Sequence, residues 1–137
     1  MTSDKSAETD GGRVALKPRG FKDLLVWQKG MALAKMIYSI TAAFPRDERF
    51  GLVAQMRRAA VSVPSNLAEG QARHTRKEFV QFISHAEGSV AELEIQLSLA
   101  VELGFCGESG TVLAFELLNE LKRMLNSLRR KLTAGIS

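Results

Sequence analysis

The sequence is short of the residues that do chemistry. Among its 137 residues it has one cysteine, Cys106, and two histidines, His74 and His85. A single cysteine forms no internal disulfide, so a reducing, cytoplasmic compartment is the expectation. Neither histidine has a second histidine or a cysteine at metal-ligand spacing, which argues against a zinc site. The Glu-x-x-His pairs that build di-metal centres in helical bundles are missing as well. No glycine-rich phosphate loop, nucleophile elbow or catalytic triad can be assembled. Cys106, flanked by Gly104-Phe105 and Gly107, reads as an inert thiol in a helix-terminating loop. No enzymatic activity, metal or cofactor is expected.

Two further absences bear on architecture. There are only three prolines, Pro18, Pro45 and Pro64, and the abundance of Ala, Leu, Glu, Arg and Lys favours helix. No apolar run approaches the ~18 residues of a membrane span, so no membrane partner is expected. Residues 1–20 are polar, lack the apolar core of a signal peptide, and read as a flexible tail. Residues 21–137 are expected to form one domain.

Within that domain the hydrophobic period is helical. A first helix is predicted from Asp23 to Phe44, with Leu24, Trp27, Met31, Ala34, Tyr38 and Thr41 facing inward. Pro45 ends it. A second is predicted over Glu48 to Glu69, N-capped by Asp47, closed by Gly70 and kinked or split at Pro64. Its inward stripe is Leu52, Met56, Ala59, Val63 and Leu67. Thr75 and Glu78 form a capping box for a third helix. Phe79, Ile83, Ala86, Val90, Leu93, Leu97 and Ala100 repeat along that helix to Gly104. A fourth begins near Ser109 or Thr111 and buries Leu118, Leu121, Leu125, Leu128 and Leu132. Short connections make neighbours antiparallel, so the predicted fold is all-α, an up-down-up-down four-helix bundle.

Helix 1 has a second apolar line, Val26, Leu33 and Ile40, with Met36 beside it. Helix 3 has an outer line of Gly88, Ala91, Ile95 and Leu99. Exposed stripes of this kind are unusual on a monomer, so these residues are expected to form the interface of a homo-oligomer. Charge is also segregated. From Glu78 to Leu121 the chain has no Lys or Arg, whereas Lys122, Arg123, Arg129, Arg130 and Lys131 follow with no intervening acid.

One polar constellation, Arg57, Arg58, Ser62, Asn66, Glu69 and Arg73, occupies helix 2. Three readings compete. The arginines and Glu69, with Ser62 and Asn66, form a structural ion-pair and hydrogen-bond network at the proline; the arginines contact phosphates, with Arg73, Arg76 and Lys77 extending the strip; or the group holds a protein partner or small anion. Aromatic residues do not alternate with the basic ones, which gives base stacking no support.

The run Gln55-Met56-Arg57-Arg58-Ala59-Ala60-Val61-Ser62-Val63-Pro64-Ser65-Asn66-Leu67-Ala68-Glu69-Gly70 also carries a resemblance. Together with Phe21-Lys22-Asp23-Leu24, Val26-Trp27-Gln28, Gly88-Ser89-Val90-Ala91-Glu92-Leu93 and Met124-Leu125-Asn126-Ser127-Leu128, it resembles the family of the 23S ribosomal RNA intervening-sequence protein. The resemblance covers about residues 21–132. It implies a bacterial, cytosolic four-helix bundle, and related bundles assemble as homopentamers. A related branch, the accessory proteins of diversity-generating retroelements, is linked to nucleic acid and a reverse transcriptase. Glu87 stands where the family pattern usually has a basic residue. The function expected is a non-enzymatic oligomer that binds RNA or other nucleic acid through Arg57, Arg58, Arg73, Arg76, Lys77, Arg123, Arg129 and Arg130. The alternative is a scaffold for a protein partner with no nucleic-acid binding.

Overall fold

The computed structural model describes residues 24–135, and the expected tail lies outside the described residues. Four helices account for the fold: α1 (Leu25–Thr41), α2 (Leu52–Gln71), α3 (Arg76–Glu102) and α4 (Val112–Ala134). Single 3₁₀ turns, Arg46–Glu48 and Ser109–Thr111, precede α2 and α4. No strand occurs among the described residues. Each helix packs on its chain neighbours and α1 closes the bundle against α4.

Local chemistry explains most boundaries. At the start of α3 the Glu78 amide donates to Thr75 Oγ1 at 3.1 Å, the capping bond expected from the sequence. At its end Gly104 adopts φ +79°, the Phe105 amide reaches the Ala100 carbonyl at 2.9 Å, and the helix stops in a Schellman turn. The Phe105 ring then packs on Phe44, 5.6 Å between centroids, which ties the α3–α4 loop to the end of α1.

Two expectations about α2 are corrected, the Asp47 cap and the Gly70 stop, and of the two alternatives at Pro64 the split is excluded. Asp47 does not cap it, because Arg46–Glu48 is a separate turn and the backbone breaks at Gly51 before Leu52. The helix is not split at Pro64, which lies inside one helical span and is buried. Gly70 is in the last turn rather than beyond it. It is buried there because a Cβ would meet Phe79 Cδ1 and Phe82 Cβ, each at 2.8 Å, so only a glycine lets α2 approach α3 this closely.

The face of α1 is the largest correction. Ala34 and Thr41 are buried as expected and Leu24 and Trp27 pack against the core, but Val26, Gly30, Leu33 and Ile37 are buried as well, while Tyr38, expected inside, is 45% exposed. Val26 and Leu33, expected on an oligomer interface, are buried by their own chain, and Met36 and Ile40 are half-buried against the same core. An apolar residue lies at almost every turn on both sides of α1, so periodicity alone could not choose between the faces. The other helices follow their predicted stripes closely. Met56, Ala59, Val63 and Leu67 of α2, Ile83 to Ala100 of α3, and Leu118, Leu121 and Leu125 of α4 are buried.

Candidate nucleic-acid interface

The basic residues divide into those held by their own chain and those left open. Arg57 belongs to the first group. Its Nε donates to Thr41 Oγ1 at 2.9 Å and its Nη2 to the Tyr38 carbonyl at 3.2 Å. Its guanidinium lies 4.4 Å from the Tyr38 ring centroid. Thr41 in turn donates to the Ile37 carbonyl at 2.7 Å. Arg57 thus satisfies the carbonyl end of α1, where a cation also complements the helix dipole. Arg73 lies 4.7 Å from the Phe82 centroid and 3.8 Å from Glu69, an exposed pair within one turn. Arg129 donates from Nε to Glu87 Oε1 at 2.7 Å and from Nη2 to Asn126 Oδ1 at 2.8 Å.

The polar residues of α2 link locally. The Ser62 hydroxyl donates to the Ala59 carbonyl at 2.8 Å and shares a hydrogen bond with the Ser89 hydroxyl of α3. Asn66 Nδ2 donates to the Ser62 carbonyl at 2.8 Å. Ser62 and Asn66 therefore join one structure at the α2–α3 seam, while Glu69 sits apart with Arg73.

Cations without an ion pair are spread over the described surface, Arg46 and Arg49 before α2 among them, but Arg76, Lys77, Arg130 and Lys131 share one end of the bundle, with Arg123 midway along α4. Arg76 and Lys77 occupy the first turn of α3, and Arg123, Arg130 and Lys131 the last half of α4. Antiparallel packing brings these ends together. The Arg76 guanidinium lies against Gly135, where an added Cβ would overlap it. None of these five cations forms an ion pair among the described residues. Arg58 is also exposed, but lies near the start of α2, in the opposite half. The eight basic residues expected to act together therefore do not form one strip.

Other chemistry is thin. Among the described residues no cluster of His, Cys, Asp and Glu could hold a metal ion, and no helix is long and apolar enough to cross a membrane. Burial pushes the Cys106 thiol above its ordinary range, which keeps it protonated and a poor nucleophile near neutral pH.

The model of the 23S rRNA-intervening sequence protein family matches residues 22–127. The chain belongs to that family. Among solved structures it is similar to a protein of unknown function from the S23 ribosomal protein family of Bacteroides thetaiotaomicron. The two are 19% identical with a TM-score of 0.69, over 77% of this chain and 98% of that one, a likeness of fold. No curated protein matches the chain. Within this member of the family, the acidic Glu87 on α3 is the partner of Arg129, so one cation of α4 is spent inside the bundle. Sequence reasoning missed that pair because the two residues are 42 positions apart. It also missed the capping role of Arg57, for which the tyrosine and threonine near the end of α1 were a faint signal.

Proposed function

We propose that this member of the 23S rRNA-intervening sequence protein family binds the phosphate backbone of RNA or another nucleic acid with the end of the bundle formed by the start of α3 and the last half of α4. The observation that carries the reading is the company of Arg76, Lys77, Arg123, Arg130 and Lys131, cations that no carboxylate among the described residues neutralises. Such a surface suits positioning contacts to phosphates rather than base readout. Arg57 and Arg129 contribute structure more than contact surface, and the reading is narrower than the eight-residue set for that reason.

The test is RNA affinity as a function of salt. Five phosphate contacts imply a log–log slope of about −3 to −4 on single strands. Arg130→Glu with Lys131→Glu is expected to flatten that slope by about 1 to 2, with the far-ultraviolet circular dichroism unchanged. A flat salt response in the wild-type protein overturns the reading.

The second reading, a self-associating scaffold, is favoured by a different surface. Ile95 is 70% exposed and Leu99 46% exposed, in line with exposed Gly88 and Ala91 on the outer face of α3. This half of the expected oligomer surface is open to a partner, unlike Val26 and Leu33 of α1. The two readings are compatible, since the α3 stripe and the cationic end are different surfaces.

A further inference from the structure

Along the outer seam between α3 and α4 the charges form a ladder. Glu87 pairs with Arg129, and seven residues further along α3, Glu94 pairs with Lys122 at 2.8 Å. Eight residues further along α3 and six back along α4 stand Glu102 and Glu116, which line one groove. Here the rung is acid facing acid. Glu102, Glu116 and the nearby Glu108 rim a groove of about 480 Å³ whose floor includes Val101, Val112 and Phe115. None of the three carboxylates has an ion-pair partner among the described residues. Leu103 and Leu113 lie nearby, 54% and 67% exposed. An apolar floor with an unneutralised acidic rim suits a segment that alternates cations with apolar residues.

The chain contains such a segment. Between Arg13 and Lys22 the sequence has Arg13, Lys17, Arg19 and Lys22, with Val14, Leu16 and Phe21 among them and no acid. It joins the bundle at Leu24, on the α4 side. The Lys29–Glu120 pair at 3.2 Å sets the register of α1 on α4. It puts Leu24 level with the residues near Asn126, about 17 Å along the axis from Phe115 at roughly 1.5 Å per residue. Seven extended residues span about 23 Å, so residues 13–17 are within reach of the groove of the same chain.

We infer that the Arg13–Lys22 segment docks in the acidic groove between α3 and α4 of its own chain, its cations completing the third rung of the ladder. This assigns the groove to an intramolecular contact and removes the segment from the nucleic-acid surface at the other end.

Cys106 offers the probe, being the only cysteine and two residues from Glu108. A nitroxide attached to Cys106 of the full-length, nitrogen-15-labelled protein should erase most of the amide intensity of residues 13–17. The loss should be relieved at about 0.5 M salt, where the Debye length falls to a few ångströms. It should also be relieved by the triple variant Glu102→Gln, Glu108→Gln, Glu116→Gln. Leader signals that stay sharp beside the nitroxide overturn the proposal and leave the groove to a cationic segment of another protein. Broadening indifferent to the triple variant overturns it too. Spin-labelled chains mixed with isotope-labelled Cys106→Ser chains separate the remaining case. Broadening there would mean that the segment crosses to a neighbouring copy, against the intramolecular assignment.

Discussion

Arg57 is the residue whose role changes most once its neighbours are known. On the sequence it is one of a basic pair; in the fold it closes α1 through Thr41 and Tyr38. Replacing it with alanine removes two charge-assisted hydrogen bonds and a ring contact. Arg57→Ala is expected to lower stability by about 1–3 kcal/mol in denaturant titration, while RNA affinity changes less than in the Arg130, Lys131 double variant. Gly70 makes the complementary point about space. Gly70→Ala drives a methyl into Phe79 and Phe82 and is expected to cost about 1–3 kcal/mol by overpacking, read as a lower midpoint at unchanged slope. Backbone propensity alone, for a glycine inside the last turn of α2 at ordinary φ, predicts a gain from alanine instead.

At the scale of the element, α3 is the helix most fully specified by its own sequence. Its N-cap, its core stripe and its left-handed glycine stop all lie within the segment from Thr75 to Phe105. Thr75→Ala is expected to cost about 1 kcal/mol. Hydrogen exchange should show the loss concentrated in the first turn, because the Glu78 amide loses its acceptor there. The start of α2 shows the opposite. Asp47 has the chemistry of a cap, but it lies in a separate 3₁₀ turn and the backbone at Gly51 delays the helix to Leu52.

The whole molecule presents three unlike surfaces: a cationic end, an apolar stripe on α3, and an acidic groove toward the opposite end. Their separation lets each be disabled alone. Ile95→Arg with Leu99→Arg places charge on two exposed positions, so the fold is expected to persist. If the stripe joins copies, native mass measured by light scattering should fall toward 15.0 kDa. Unchanged mass would move self-association to another face. The RNA salt slope per chain should hold, because the cationic end is untouched.

The periodicity of apolar residues determined four helices, their approximate bounds and the inward faces of α2, α3 and α4, because one stripe per helix is enough information when the rest of the helix is polar. The Thr75 cap and the Gly104 stop were equally legible, since both are local. The family resemblance, too, rested on contiguous motifs. What only the tertiary structure decided was the sidedness of α1 and the fate of the charges. Two apolar lines on one helix are equivalent until neighbouring helices choose between them, and packing put Val26, Leu33 and Ile37 inside. An arginine is a free cation or a strut depending on what lies across the seam. Arg129 meets Glu87 and Arg57 meets the end of α1, while Arg130 and Lys131 meet no acid among the described residues. Those partners lie 16 to 42 residues away along the chain and become neighbours only when the bundle closes.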